Sequence, residues 1–226
     1  MPPFAGASGQ ESAELAVQRS RMVEEQLRGR GIRDERVLAA FARVPRERFV
    51  ADELRGQAYA DGPLPVGQGQ TVSQPLMVAI MVELLDVQPS DRVLEIGSGT
   101  GYQAAILGEL AAEVWTIERH SLLASRAREI LRELGYDNVS VVAADGSLGL
   151  VERAPFNKIV VAAGAPQLPT SLVAQLSDEG ILVAPVGDRV QQQLAVARKR
   201  AGEVVSTTHS LCCFVPLIGE LGWEQL

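Results

Sequence analysis

The sequence predicts an α/β protein with a doubly wound, mostly parallel sheet of seven strands, a helical segment before it and an antiparallel hairpin at its end. Three observations predict this fold class. From residue 92 onwards, short apolar runs alternate with helical patterns, which is typical of parallel strands joined by right-handed crossovers. Two helical patterns precede this region. Two strand-like segments separated by a short connection come last in this region.

The first 75 residues are predicted to form helices and a long loop ahead of the sheet. Apolar residues recur at helical spacing in residues 11–29 and again in residues 33–43. A connection rich in proline and glycine follows, and a further helix is expected from Pro75 to about Leu85. We expect one domain made of a flexible N-terminus (1–10), N-terminal helices with an active-site loop (11–75) and a core (76–226).

In the core, strands are predicted to alternate with helices up to the last two strands. Helices are expected from Gln103, near residues 122–134 and around residues 169–176. Only the short segment 199–205 separates the last two strands, which favours antiparallel pairing at the sheet edge. The expected strands span residues 92–96, 114–118, 139–143, 158–162, 181–185, 192–198 and 206–216.

Composition excludes several classes of protein. The chain has 226 residues, of which 46% are hydrophobic and 22% charged, as in ordinary globular proteins. Its 21 Lys and Arg against 28 Asp and Glu give a net charge of −7, so we expect no nucleic-acid partner. No apolar run is long enough to span a bilayer, and the start of the chain lacks the pattern of a secretion signal. We therefore expect no membrane partner.

The two cysteines, Cys212 and Cys213, are adjacent in the sequence. Neighbouring positions in a strand face opposite sides, so a disulfide between them is disfavoured. They form neither a metal-ligand spacing nor a C-x-x-C motif, so we expect no metal. A reducing cytoplasm is the expected location.

The segment from Val93 to Tyr102 joins a buried-strand pattern to a glycine-rich turn and then to a helix. Its glycines let the backbone turn tightly and approach a ligand, while the amides of the next helix face the ligand's polar end. The spacing is G-x-G-x-G, and Tyr102 stands where a dinucleotide-binding loop has glycine or alanine. The loop therefore favours S-adenosylmethionine over NAD as cofactor. The expected contacts are Gly97, Ser98, Gly99, Thr100 and Gly101.

Two carboxylates follow later strands. Glu118 ends the second core strand about 20 residues beyond the loop, where a carboxylate can bind ribose hydroxyls. Asp145 follows the third strand, where it can accept hydrogen bonds from an adenine amino group. Either one alone is equally well explained as a solvated strand end, but their order and spacing favour a shared ligand at the carboxyl edge of the sheet. Arg119 and Gly146 complete the expected cofactor contacts.

The most specific motif is Thr71-Val-Ser-Gln-Pro75, at the end of the polar segment that begins at Pro63. With it, the chain resembles the protein-L-isoaspartate O-methyltransferase family over residues 11–219. The resemblance implies a Rossmann-like, class I S-adenosylmethionine-dependent fold and methyl esterification of the abnormal carboxyl group of isoaspartyl residues, which initiates the repair of damaged proteins and peptides. The other matching segments are residues 94–103, 117–119, 134–139, 145–147, 163–166, 185–187 and 214–217.

The resemblance assigns the active-site role to Ser73. The acceptor carboxyl group has a pKa of about 4, so it is already an anion near neutral pH and no general base is needed. A hydroxyl at Ser73 can donate a hydrogen bond that orients this carboxylate for in-line attack. The alternative is that Ser73 and Thr71 only cap the helix that begins at Pro75. The expected substrate contacts are Gln70, Thr71, Val72, Ala165, Pro166 and Val215.

The sequence also departs from the family pattern. Gln68 stands where the family often has His, Cys213 where it commonly has Arg, and residues 146–150 replace a more usual acidic-then-aromatic version. These positions lie at the rim of the expected site, so they affect peptide preference more than the reaction. A carboxyl methyltransferase for a dedicated peptide or small molecule, a noncatalytic cofactor-binding protein and a nicotinamide dehydrogenase stay open as alternatives. We expect a monomer.

Overall fold

The structure, a computed structural model, describes residues 13–224. The N-terminus expected to be flexible, residues 1–10, lies outside this range. The helices are α1 (Ala13–Arg21), α2 (Glu35–Arg43), α3 (Pro75–Leu85), α4 (Tyr102–Gly108), α5 (Ser121–Glu133) and α6 (Thr170–Ala174). The strands are β1 (Leu64–Gly67), β2 (Gln70–Val72), β3 (Arg92–Ile96), β4 (Glu113–Glu118), β5 (Val139–Ala143), β6 (Phe156–Val161), β7 (Leu176–Gly187), β8 (Gln192–Arg200) and β9 (Glu203–Cys212).

The large sheet of the described chain has seven strands in the order β5-β4-β3-β6-β7-β8-β9. Strands β3 to β7 are parallel, and β8 and β9 add antiparallel pairs, which confirms the predicted fold class and the C-terminal hairpin. Strand β8 lies beside β7, and β9 forms the edge. The chain runs from β3 outwards to β4 and β5, then returns to β6 on the other side. A crevice therefore opens at the carboxyl ends of β3 and β6.

Apolar residues cover both faces of the sheet. In β3, Val93 packs in the cluster that contains Phe41 of α2 and Met81 of α3, whereas Leu94 and Ile96 pack in a second cluster on the opposite face. This two-sided burial explains why the core strands form short apolar runs rather than alternating patterns. Among residues 13–224, no helix combines the length and apolar character needed to cross a bilayer.

The strand β7 begins five residues before the predicted start, at Leu176, where a helix was expected. Two other predicted segments were wrong near the carboxyl edge of the sheet. The segment from Pro63 to Pro75 contains a small antiparallel hairpin, in which Leu64 of β1 pairs with Val72 of β2. The last strand ends at Cys212 instead of residue 216. The chain leaves the sheet edge there, because Val215 O and Leu217 N each form a 2.8 Å hydrogen bond with the backbone of Gly164. Residues 214–217 therefore cross the carboxyl end of the sheet instead of extending its edge.

Candidate active site

The glycine loop lies at the carboxyl end of β3, in the crevice beside β6. Gly97, Gly99 and Gly101 have φ angles of 91°, 53° and 96°, which side chains disfavour. The turn is fixed internally, since Gly97 N donates to Ile117 O at 2.8 Å and Gly101 N donates to Ser98 O at 2.8 Å. The sequence-predicted strand, turn and helix are thus all present.

Gly101 has a packing role in this loop. A Cβ atom there would lie 3.2 Å from Leu131 Cδ1 and 3.3 Å from Ala127 Cβ, both on α5. Glycine therefore lets the loop pack closely against α5. The structure places Gly101 against this helix, so its predicted contact with a cofactor stays a prediction.

Glu118 joins the end of β4 to the glycine loop. Its side chain is 5% exposed, Oε2 accepts from Gly99 N at 2.9 Å and Oε1 accepts from His120 N at 2.9 Å. An ionised carboxylate has about four acceptor positions, so these two bonds leave room for the hydroxyl groups of a ligand. The structure therefore brings the predicted carboxylate next to the predicted loop.

A cavity opens at this edge of the sheet, and the space between its walls, including its open mouth, is about 580 Å³. Gly146 forms part of its wall and has no room for a side chain, because a Cβ atom would lie 2.5 Å from Ile96 Cγ2. The predicted site residues that line the cavity are Gln70, Thr71, Gly97, Gly99, Glu118, Arg119, Gly146 and Val215.

A smaller hollow continues from this cavity on the other side of the glycine loop, with Thr71, Gly97, Gly99 and Ala162 common to both walls. The other predicted residues on its walls are Val72, Ser73, Ser98 and Thr100, and Gln103 also lines it. Thr100 is already engaged, since its Oγ1 donates to Phe49 O at 2.7 Å. The hollow therefore places Ser73 opposite the glycine loop.

Buried polar atoms around this hollow support a polar ligand. Within the described chain, Ser98 Oγ, Gln103 Nε2 and the Tyr102 hydroxyl have no hydrogen-bond partner. The Tyr102 ring lies against Arg46, which leaves Ser98 Oγ and Gln103 Nε2 for a ligand. Buried polar groups are usually paired, so these two atoms suit a ligand with charged or polar ends. The amino acid end of S-adenosylmethionine has this chemistry. Gln103 was not among the predicted site residues, because it follows the glycines at the start of a buried helix and matches no spacing rule.

Asp145 follows β5 as predicted, but its carboxylate is already occupied. Oδ1 accepts from Ser147 N at 2.8 Å and from Ser147 Oγ at 2.7 Å, and Oδ2 accepts from Glu220 N at 2.7 Å. Burial alone would raise the pKa of Asp145, but these hydrogen bonds hold it below its usual value. The group anchors the C-terminal segment and faces a second opening beyond Arg119. The predicted adenine contact stays a prediction.

Ser73 lies between β2 and α3 and is half-buried. The cap of α3 is Gln74, which makes no side-chain capping hydrogen bond, and Pro75 occupies the first turn. The alternative that Ser73 or Thr71 caps this helix is therefore wrong. The Ser73 carbonyl accepts a hydrogen bond from Arg46 Nη2 at 2.8 Å, so a buried side chain holds the backbone of Ser73.

A wide groove begins at Ser73 and runs towards the sheet edge. Pro63, Gln74 and Met77 form one wall, and residues 189–191 with residues 211–216 form the other. Arg189 is the only charged side chain among the described residues that line it. The groove is therefore suited to an extended segment that carries a negative charge.

Several sequence-predicted residues take other positions. Ala165 is 1% exposed, and its backbone bonds to Pro185 O at 2.9 Å and to Gly187 N at 3.0 Å. Neither it nor the exposed Pro166 is among the residues that line the cavities described above. Cys213, which departs from the family pattern, is an exposed free thiol on the groove wall. Gln68 lies at the tip of the β1–β2 hairpin with φ 54°.

Comparison with known proteins gives one consistent result. The sequence model of the family described as "Protein-L-isoaspartate(D-aspartate) O-methyltransferase (PCMT)" matches residues 17–222. A protein-L-isoaspartate O-methyltransferase of Koribacter versatilis is 54% identical over 93% of this chain and 95% of its own length. One from Methanoculleus marisnigri is 51% identical over 92% of this chain and 94% of its own.

Solved structures agree with these relatives. A protein-L-isoaspartate O-methyltransferase structure has a TM-score of 0.82 and 28% identity, covering 90% of this chain and 67% of that one. A putative Plasmodium falciparum enzyme of the same name, in complex with S-adenosyl-L-homocysteine, has a TM-score of 0.76 and 25% identity, covering 88% of this chain and 98% of that one. The likeness therefore extends over sequence, fold and nearly the full length.

Proposed function

Because the chain belongs to the protein-L-isoaspartate(D-aspartate) O-methyltransferase family, we propose that it catalyses the S-adenosylmethionine-dependent methyl esterification of the abnormal carboxyl group of L-isoaspartyl residues. This reaction initiates the repair of damaged proteins and peptides. One observation carries the proposal. Thr71, Ser73 and Ala162 form a wall common to the hollow beside the glycine loop and to the open groove. A cofactor on one side and a peptide on the other would therefore meet at Ser73.

The cofactor side has residues of the required chemistry. Gly97 and Gly99 allow close approach of the backbone, and Glu118 offers acceptor positions for ribose hydroxyls. Ser98 and Gln103 would pair with the amino acid end. When bound, S-adenosylmethionine supplies an electrophilic methyl group on a sulfonium. Arg119, Asp145 and Gly146 complete the proposed cofactor side, while Thr100 and Gly101 shape the loop.

On the acceptor side, this chain needs only to bind and orient an anion. A side-chain carboxyl group is ionised near neutral pH, so no residue must remove a proton. The Ser73 hydroxyl would donate a hydrogen bond to that carboxylate, and the walls around it would exclude water. Thr71 and Val215 line both the proposed cofactor cavity and the groove, and Gln70 and Val72 flank Thr71. Arg189 gives the groove a positive charge that suits an anionic acceptor.

The decisive experiment compares two peptides that differ at one residue. Purified protein with S-adenosylmethionine should methylate a peptide that contains L-isoaspartate and not the same peptide with normal aspartate. Equal rates on both peptides would contradict the proposal. Methylation of neither peptide, with cofactor binding retained, would favour an enzyme for a dedicated peptide or small molecule, or a noncatalytic cofactor-binding protein.

A substitution at Ser73 tests the proposed acceptor contact. Hydrogen bonds to charged groups contribute about 1.5–3 kcal/mol, so Ser73→Ala should lower the rate on the isoaspartyl peptide roughly 10- to 100-fold. Affinity for adenosylhomocysteine should persist. Ser206→Ala is the matched control, because Ser206 is exposed on the edge strand β9. Unchanged turnover in Ser73→Ala would remove Ser73 from the mechanism.

We also propose that the chain is a cytoplasmic monomer and that residues 11–75 and 76–226 form one domain. The free thiols of Cys212 and Cys213 suit a reducing compartment, and the cluster that joins Phe41 to Val93 links the two parts. Light scattering coupled to gel filtration should give the mass of one chain. Thermal unfolding followed by two probes should give one coincident transition.

A further inference from the structure

Arg46 is a fully buried cation in the short helical turn Arg46–Phe49. Its Nη2 donates to Ser73 O at 2.8 Å, and its Nε donates to Ala58 O at 2.8 Å. The guanidinium carbon also lies 4.7 Å from the centroid of the Tyr102 ring. One side chain therefore touches the Ser73 segment, the connection before β1 and the end of the glycine loop.

The same turn holds the glycine loop by other contacts. Thr100 Oγ1 donates to Phe49 O at 2.7 Å. The Phe49 ring packs edge-to-face on Tyr102, with centroids 5.6 Å apart, and the Phe41 ring also packs edge-to-face on Tyr102, with centroids 6.0 Å apart. The turn and the loop therefore form one packed unit.

No carboxylate within the described residues forms an ion pair with Arg46. The neighbouring Glu47 instead accepts a hydrogen bond from the Tyr59 hydroxyl. Arg46 is a buried charge with two carbonyl acceptors, an aromatic face and an Nη1 atom that has no partner among the described residues, which is a costly arrangement. The two carbonyls lie on either side of the β1–β2 hairpin, so Arg46 holds both ends of the segment that carries this hairpin.

We propose that Arg46 is a positioning residue for methyl transfer: it fixes the Ser73 segment at a set distance from the glycine loop. This inference rests on the proposed function. Arg46 holds the carbonyl of Ser73, and the same residue lines both the hollow and the groove, so the guanidinium determines where the hydroxyl lies relative to the cofactor. A displacement of about 1 Å is enough to reduce a rate by about 100-fold.

The first test separates rate from cofactor binding. Arg46→Met should lower kcat on the isoaspartyl peptide roughly 10- to 100-fold. The Kd for adenosylhomocysteine should change less than about threefold, because the hydrogen bonds of Arg46 go to Ala58 and Ser73 and not to the proposed cofactor contacts Glu118, Ser98 and Gln103. Arg46→Lys keeps the charge and one donor and should recover part of kcat. Arg126→Met is the matched control, since Arg126 Nη2 donates to Val50 O at 2.9 Å beside the same turn without touching Ser73.

The second test is a double-mutant cycle with Ser73→Ala. If Arg46 acts through Ser73, Arg46→Met should cost less than about threefold in kcat when the hydroxyl is already absent. Equal losses in both backgrounds, or a kcat for Arg46→Met like that of the wild type, would overturn the inference. If Arg46→Met does not fold, Arg46→Lys is carried through the same cycle with the same criteria. Failure of the wild type on the isoaspartyl peptide would instead contradict the proposed function.

Discussion

Glu95 gives a stability prediction whose size follows from the structure. It is a carboxyl group with no exposed surface in the central strand β3. Thr116 Oγ1 donates to its Oε2 at 2.5 Å, and its Oε1 has no partner among the described residues. Burial raises the pKa of Glu95 from 4.5 to about 8, although the hydrogen bond from Thr116 opposes this rise. At neutral pH, Glu95 is therefore protonated in the folded chain and ionised in the unfolded chain.

The sign of the pH dependence follows from proton binding. Between pH 4.5 and about pH 8 the folded state binds the proton that the unfolded state has lost, so the free energy of unfolding falls as the pH rises. The slope for one group is about 1.4 kcal/mol per pH unit. Between about pH 5.5 and about pH 7, Glu95 alone should lower the free energy of unfolding by about 2 kcal/mol. Glu95→Gln keeps the shape and removes the titration.

Urea denaturation at the two pH values measures this effect. The free energy of unfolding of Glu95→Gln, minus that of the wild type, should increase by about 2 kcal/mol from about pH 5.5 to about pH 7. Glu129→Gln is the control, because Glu129 is an exposed carboxylate on α5 and its difference from the wild type should stay constant. A Glu95→Gln difference that does not change with pH would refute the assignment of a protonated Glu95.

Two further predictions concern the cofactor cavity. Glu118→Gln should weaken adenosylhomocysteine binding roughly 10- to 100-fold in calorimetry, because it replaces charge-assisted acceptors that also hold Gly99; unchanged affinity would contradict the role of this carboxylate. Gly146→Ala should lower the free energy of unfolding by about 1–3 kcal/mol and weaken ligand binding, because its Cβ would lie 2.5 Å from Ile96 Cγ2. Gly56→Ala is its control, since no atom lies within 4 Å of a Cβ there. Equal losses of stability and ligand affinity in both variants would exclude steric conflict as the cause.

Local sequence signals predicted most of the strands and helices of the core correctly. The predicted bounds of β3, β5 and α3 agree with the structure to the residue, because turn residues and a helix-initiating proline mark their ends. The hairpin of β1 and β2 was missed because its strands are short and Pro65 interrupts the alternation. The end of β9 was misplaced because the bonds that draw Val215 and Leu217 to Gly164 are tertiary contacts, which a strand pattern does not record.

The contrast between local sequence signals and tertiary contacts also applies to the site. The glycine loop and Glu118 were predicted because their spacing along the chain reflects two adjacent parallel strands. Asp145 was placed at the correct strand end, but Glu220, 75 residues later, donates to its carboxylate. Arg46 lies 27 residues before Ser73 in a segment with no recognisable motif. Its role depends on folding that brings distant segments together, so local patterns contain no signal for it.

Tyr102 has both a local sequence signal and a role in tertiary packing. In the sequence, Tyr102 was used only as an argument against a dinucleotide-binding site, because a pyrophosphate-binding loop has a small residue at this position. In the structure, the side chain is 1% exposed and fills the space between Phe41, Phe49 and the guanidinium of Arg46. Glycine or alanine there would leave Arg46 without its aromatic face and the glycine loop without its contact to the turn. The residue that argues against one cofactor is therefore also the residue that couples the loop to Ser73.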